Sequence, residues 1–180
     1  MREVADAQRI RRFMCALAEA AEAAARVYFT GGATAVLIGW RPSTIDVDIK
    51  LVPEQDHLFR AIPRIKETLQ INVELACPAD FIPVPPGWED RSPFIASEGR
   101  LSFHHFDLYA QALAKVERSH TQDIADVQEM LRRGLVEPAR AWQHFQAIEA
   151  DLYRFPAVDA RSFRQAMEEV FGRPRDLAQA

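Results

Sequence analysis

Apolar positions in the first hundred residues change repeatedly between the spacing of a helix and the alternation of a strand. Such changes are typical of a small sheet whose strands are connected by helices. The helical spacing predicts three helices, at residues 5–26, 33–38 and 53–69. The alternating or β-branched runs predict three strands and a hairpin turning at Glu98-Gly99, namely residues 27–30, 45–52, 71–76 and 94–106. Pro63 lies inside the third helix and is expected to kink or split it.

The second half of the chain is predicted to be helical almost to its end. Its breaks are expected near Ser119-His120, Gly134 and Phe155-Pro156. Residues 78–91 contain four prolines and a glycine, which predicts an irregular loop. The expected fold class is α+β with an α/β-like core, a small mixed β-sheet flanked by helices and followed by a helical half. We assign residues 1–106 to the core and residues 107–180 to a helical region packed on it as a single compact unit.

The composition fits one globular domain and argues against several classes of protein. With 180 residues, 48% of them hydrophobic, the chain can bury a core and is not disordered in composition. It has no apolar run of membrane-spanning length, and its charged N-terminus does not look like a secretory signal. Cys15 and Cys77 are expected to be buried free thiols, which favours a cytoplasmic location. The net charge of -4 argues against broad nonspecific binding of nucleic acid.

Two aspartates lie on one face of the second predicted strand. Side chains two positions apart on a strand point the same way, so Asp46 and Asp48 project together while Val47 anchors the strand in the core. Neighbouring carboxylates repel each other unless a cation lies between them, and Mg²⁺ or Mn²⁺ prefers such oxygen ligands. A solvated strand face is the alternative for an isolated Asp-x-Asp, but the glycine pair upstream favours a metal site.

That glycine pair lies between a predicted strand and a predicted helix. Gly31 and Gly32 allow a phosphate to approach the N–H groups at the helix start, and Thr30 or Thr34 can add a hydroxyl donor. A third acid follows on the next strand, where Glu74 is a candidate metal ligand or general base, with an exposed strand residue as the alternative. Asp80, a few residues further on, is the alternative third carboxylate.

In this order, the segments resemble the motifs of the DNA polymerase β-like nucleotidyltransferases. The matching pieces are TGG at 30–32, DVDI at 46–49 and VEL at 73–75. WRPSTIDVD and LAKVERSHTQDIADV look like the toxin-type branch that includes AbiEii-like proteins. CPADFIPVPPGWEDR, followed by YAQALAKVER, is similar to small bacterial nucleotidyltransferase-like proteins of unassigned function. The resemblance covers about residues 27–135.

The resemblance implies a site and a reaction. Its catalytic and metal-binding carboxylates are Asp46, Asp48 and Glu74, its triphosphate site is lined by Gly31, Gly32 and Ser43, and Lys115 contacts phosphate. Thr34 joins the nucleotide-binding candidates by its position just after the glycine pair. The implied reaction uses Mg²⁺ or Mn²⁺ to transfer a nucleoside monophosphate from an NTP to an acceptor hydroxyl. RNA or protein is the implied acceptor, in a toxin–antitoxin system with an antitoxin partner. An inactive nucleotide- or partner-binding module of the same fold and a metal-dependent phosphohydrolase are the alternatives.

Other polar residues have structural interpretations beside functional ones. His104 and His105 are adjacent on a strand and therefore face opposite ways, which argues against a shared ion. A surface lysine is the alternative for Lys115, and N-terminal capping with compensation of the helix dipole is the alternative for Asp123 and Asp126. Trp88 and Arg91, in the proline-rich loop, are candidate lid residues or a hydrophobic plug and its rim.

Overall fold

The computed structural model describes residues 4–174, which divide into two compact units. Of these residues, 4–77 and 92–106 form the first unit, while 78–91 and 107–174 form the second. The predicted α+β class is confirmed, with a mixed sheet flanked by helices. The proline-rich segment 78–91, assigned from the sequence to the core region, groups with the helical half. No helix in the described part of the chain is long and apolar enough to cross a membrane.

The first unit is built around a five-stranded sheet. Its elements are α1 (Ala7–Glu19), β1 (Ala25–Thr30), α2 (Gly31–Ile38), β2 (Asp46–Val52), α3 (Asp56–Leu69), β3 (Asn72–Glu74) and, after a segment of the second unit, β4 (Phe94–Glu98) and β5 (Leu101–His105). The strand order is β3-β2-β1-β5-β4. The central strand β1 pairs antiparallel with β2 and parallel with β5. β2 pairs parallel with β3, and β4 with β5 antiparallel, which confirms the predicted hairpin.

One face of this sheet is buried beneath α1 and α3. Phe13 of α1 meets Phe29 of β1 edge-on, with ring centroids 6.3 Å apart, and Phe29 stacks on Phe103 of β5 at 5.9 Å. The alternate residues Val47 and Ile49 of β2 belong to the same core. Because burial of such side chains is the main favourable term in folding, the core determines which face β2 leaves accessible.

Two helices of the first unit differ from the prediction. α1 ends at Glu19 rather than near residue 26, because Ala25 is drawn into β1 and pairs with Leu101; this tertiary pairing outweighs the helix propensity of the alanines between them. α3 is not split at Pro63, which lies exposed inside one continuous helix. Cys15 is exposed on α1, so the prediction that it is buried is wrong.

The second unit is helical and centres on a helix in which nine consecutive residues are buried. Its helices are α4 (Trp88–Arg91), α5 (Leu108–Arg118), α6 (Thr121–Arg132), α7 (Pro138–Glu149) and α8 (Ala160–Phe171), with 3₁₀ turns at Pro78–Asp80 and Leu152–Arg154. The run from Leu108 to Val116 in α5 is entirely buried, with α6, α7 and α8 packed around it. The three predicted helix breaks are confirmed.

Candidate functional site

The two aspartates of β2 project from the face of the sheet opposite the α1–α3 core. Asp46 and Asp48 are half-buried, and the residues beside them, Val47 and Ile49, are buried. The alternation predicted from the sequence is therefore confirmed, and both carboxylates lie on the same face of one strand.

Glu74 joins the aspartates through the pairing of β2 with β3. In the register of these strands, Asp48 lies opposite Glu74 and Asp46 opposite Asn72. The Asn72 side-chain amide donates to Asp46 Oδ1 at 2.5 Å and to Glu74 Oε1 at 3.1 Å. Asn72 thus donates hydrogen bonds to a carboxylate on each of the two strands, a role that was not predicted from the sequence. The alternation of Asn72 and Glu74 around the buried Val73 is the sequence feature that indicates this role, because it places both polar side chains on the same face of β3.

The glycine pair at the start of α2 lies directly against these side chains. Gly31 has a left-handed φ of +59°, and a Cβ on it would be 2.9 Å from Asp48 Oδ2. A Cβ on Gly32 would overlap the Thr44 hydroxyl and lie 3.5 Å from Arg41 Nη1. Glycine is required at both positions, because any side chain there would displace a polar side chain of the site.

Thr44 holds the start of β2 against the glycine pair. Its Oγ1 donates to the Asp46 carbonyl at 3.0 Å, and its backbone exchanges two hydrogen bonds with Ala5, at 2.7 and 2.9 Å. Neither Thr44 nor Arg41 was singled out from the sequence. Ser43, predicted to line the triphosphate site, is half-buried in the same loop between α2 and β2.

Thr34 lies in α2, two residues after the glycine pair, and points into the interior of the first unit. It is fully buried, its hydroxyl donates to the Phe29 carbonyl at 3.1 Å, and its Oγ1 lies 3.1 Å from His105 Nδ1. Because the hydroxyl proton is used at Phe29, the His105 N–H is the donor in the second bond. The Thr34 hydroxyl thus bonds to Phe29 and His105 within the first unit, and its predicted contact with nucleotide stays a prediction.

The two adjacent histidines lie on opposite faces of β5. His104 Nε2 lies 3.1 Å from the Ser102 hydroxyl, while the buried His105 binds Thr34. The prediction that the two side chains face opposite ways is therefore confirmed. Burial lowers the pKa of His105 from 6.5 to about 4, and the neighbouring His104 lowers it in the same direction.

The depressed pKa of His105 predicts a loss of stability in mild acid. The folded chain keeps this imidazole neutral to about pH 4, whereas the unfolded chain takes up the proton near pH 6.5. Above pH 6.5 the imidazole is neutral in both the folded and the unfolded chain, so His105 does not lower the free energy of unfolding there. About 3 kcal/mol of that free energy is lost as the pH falls to about 4. His105→Asn keeps an amide donor for Thr34 but does not titrate.

Urea unfolding between pH 7.5 and 4 compares wild type with His105→Asn. We expect the variant to lose this part of the pH dependence, with His120→Asn, at an exposed histidine, as the control. The same pH dependence in wild type and His105→Asn would contradict the assignment.

Lys115 belongs to the second unit and is neither exposed nor part of a helix surface. Its Nζ donates to Asp123 Oδ1 and to Asp126 Oδ2, each at 2.8 Å, and the lysine side chain is only 6% exposed. Arg118 also binds Asp123, at 3.0 Å. The surface-lysine alternative is therefore wrong. Asp123 and Asp126 both bind this buried cation, and Asp123 also lies in the first turn of α6, where its charge complements the helix dipole, although the N-cap itself is His120. The predicted contact of Lys115 with phosphate stays a prediction.

The proline-rich segment carries the remaining candidates. Asp80 is exposed in the first 3₁₀ turn, in the second unit, whereas Glu74 is in register with Asp48 in the first. Arg91 of α4 binds the buried Asp107 at 2.7 Å and donates to the Pro86 carbonyl at 2.7 Å. These bonds tie the segment to the start of α5 within the second unit. Trp88, the other residue proposed for a lid or plug, is half-buried in α4.

Within residues 4–174, no group of three His, Cys, Asp or Glu side chains is arranged to hold a metal ion. One comparison with known proteins gives a match: residues 8–156 match the model of a family described as "Nucleotidyltransferase of unknown function (DUF6036)". No curated protein and no solved structure shows significant similarity to the chain.

Proposed function

The chain belongs to this nucleotidyltransferase family, and from that premise we propose that it transfers a nucleoside monophosphate from an NTP to an acceptor hydroxyl. The observation that carries the proposal is the meeting of three motifs in the first unit. Asp48 of β2 is in register with Glu74 of β3, and its Oδ2 lies against the backbone of Gly31. Carboxylates beside a glycine turn at a helix start can together accommodate a metal ion and phosphates.

Asp46 and Asp48 fit a hard divalent cation such as Mg²⁺ or Mn²⁺. Both side chains are half-buried on the same face of β2, and both offer only oxygen ligands. Mg²⁺ is commonly bound by one or two carboxylates, while phosphate oxygens and waters complete its coordination. Two aspartates therefore suffice as protein ligands, and Glu74 is assigned to the acceptor in this proposal.

Each group of the site has a separate role in one in-line displacement. Backbone N–H groups at the start of α2 bind phosphate oxygens, which Gly31 and Gly32 allow to come close. Glu74 accepts the proton of the acceptor hydroxyl, whose oxygen forms a bond to the α-phosphorus. The bond from this phosphorus to the bridging oxygen of the β-phosphate breaks, and pyrophosphate leaves with the electron pair. Asp46 and Asp48 would hold a divalent cation, which would neutralise charge that develops on these phosphates.

The acceptor that we propose is an RNA end or a protein side chain. This part of the proposal rests on the resemblance of WRPSTIDVD and LAKVERSHTQDIADV to the toxin-type branch of these enzymes. The same resemblance suggests an antitoxin protein as partner and a bacterial toxin–antitoxin system as the setting.

Calorimetric titration with ATP, CTP, GTP and UTP, in Mg²⁺ and in EDTA, tests the function. We expect one or more of the NTPs to bind in Mg²⁺ only, and labelled NTP to modify RNA or protein with release of pyrophosphate. Binding without pyrophosphate release from any acceptor would identify an inactive binding module. Release of phosphate or nucleotide without an acceptor would identify a phosphohydrolase.

A further inference from the structure

The glycine pair of the first unit has an acidic side chain on one side and a basic side chain on the other. Gly31 lies against Asp48, where a Cβ would come within 2.9 Å of Oδ2. Gly32, the next residue, lies beside Arg41, where a Cβ would be 3.5 Å from Nη1. The aspartate can bind a cation, whereas the guanidinium can bind only an anion. The two sides of one turn therefore differ in the charge that they attract.

The local fold directs Arg41 towards this turn. α2 ends at Ile38, the next residue, Gly39, is left-handed, and the N–H groups of Trp40 and Arg41 both donate to the Ala35 carbonyl, at 3.0 and 3.3 Å. The chain is thereby folded back against the middle of α2. Ala35 is three residues, or about 4.5 Å along the helix axis, from Gly32, a distance that an arginine side chain spans easily.

A triphosphate at this site needs a cationic side chain from the protein. The fully ionised triphosphate is strongly anionic, and Asp46, Asp48 and Glu74 add negative charge around it. The lysine predicted to contact phosphate, Lys115, already binds two carboxylates at 2.8 Å. An arginine at a glycine turn is well suited to the task, because its planar fork donates two parallel hydrogen bonds to a phosphate.

We propose that Arg41 binds the β- and γ-phosphates of the NTP and makes the site selective for triphosphates over monophosphates. The proposal rests on the proposed function, because it requires an NTP at the glycine turn. The α-phosphate lies on the side of Asp48, where the metal is expected, and the part that leaves as pyrophosphate lies on the side of Arg41. Arg41 thus binds the substrate without contributing a metal ligand.

The test compares triphosphate, monophosphate and metal binding in Arg41→Gln, Arg41→Lys and wild type. The phosphate probes are magnesium tripolyphosphate, the tightest-binding NTP and its monophosphate, all measured by calorimetry. Mn²⁺ binding without nucleotide is measured by electron paramagnetic resonance. Arg60→Gln, which removes one positive charge from an exposed position on α3, is the matched control.

We expect Arg41→Gln to weaken tripolyphosphate and NTP binding about 10–100-fold, the value of one or two hydrogen bonds to a charged group. Monophosphate and Mn²⁺ binding should change less than about 3-fold, and Arg41→Lys should be intermediate because an ammonium lacks the bidentate fork. Arg60→Gln should match wild type.

Several results would overturn the assignment. Unchanged NTP affinity in Arg41→Gln, or equal losses of affinity for triphosphate and monophosphate, would show that Arg41 does not bind the terminal phosphates. Either result would leave the proposed function intact. Loss of Mn²⁺ binding in Arg41→Gln would show that the side chain supports the carboxylates instead. Wild type that binds neither tripolyphosphate nor any NTP would refute the proposed function together with this inference.

Discussion

Removing either aspartate charge on β2 is expected to lower Mg²⁺-dependent NTP binding and transfer by more than about 100-fold while leaving the fold intact. Changing a group that only supports a metal ligand already lowers metal affinity or activity about 10–100-fold, so loss of a direct ligand should lower them further. Asp46→Asn and Asp48→Asn are close in shape to the native residues. In Asp46→Asn, the new side-chain oxygen can still accept the hydrogen bond that the Asn72 amide donates to Asp46 at 2.5 Å in the wild type.

The matched controls for these variants are Asp80→Asn, an exposed aspartate of the second unit, and Glu74→Gln. Asp80→Asn should bind NTP and catalyse transfer like wild type. Glu74→Gln should retain NTP binding but lose transfer, because the proposed base acts on the acceptor and not on the nucleotide. Calorimetry, pyrophosphate release and circular dichroism separate the three effects. Full activity in Asp48→Asn would remove the basis of the proposed mechanism.

The carboxylate strand could be predicted because its pattern is local. Alternation over Asp46–Val52 specifies both a strand and the face that each residue occupies, and burial of Val47 requires Asp46 and Asp48 to lie opposite it. The hairpin of β4 and β5 was equally local, since a glycine turn separates two short runs of β-favouring residues.

Features that depend on long-range pairing could not be predicted. A single sequence does not say which strands are neighbours, so the register that places Glu74 opposite Asp48 appears only in the folded sheet. Thr34 is a nucleotide-binding candidate by its position after Gly32, but its buried surroundings could not be predicted. α2 is apolar on nearly every side, so its sequence gave no indication that Thr34 faces the buried His105.

Lys115 is a charged residue whose surroundings likewise depend on long-range packing and could not be predicted. Its partners, Asp123 and Asp126, follow a helix break, and nothing in the spacing shows that α5 and α6 pack so closely that all three charges are buried. The statistical expectation for a lysine on a helix is exposure, and it is overridden here by two carboxylates. The resemblance to a family suggested a role for this residue but not its environment.

Lys115→Met is expected to lower the free energy of unfolding by about 3–5 kcal/mol, the usual cost of removing one partner from a buried ion pair. Methionine is similar in length, so the main change is loss of charge. Asp126, whose side chain is 1% exposed, would then be left buried without its cation. Urea unfolding measures the effect. Arg118→Met is the control, since Arg118 binds the same Asp123 from a side chain that is 36% exposed and should contribute less than about 1 kcal/mol.

The same variant decides between a structural and a phosphate-binding role for Lys115. An ammonium has three N–H donors, and two of them are used by Asp123 and Asp126 at 2.8 Å. A phosphate approaching the third would also approach both carboxylates, and the repulsion opposes its binding. We therefore expect Lys115→Met to be destabilised, with much of the loss recovered when Asp123→Asn and Asp126→Asn remove the uncompensated charges. A Lys115→Met protein of unchanged stability but weakened NTP binding would instead support the phosphate contact implied by the family resemblance.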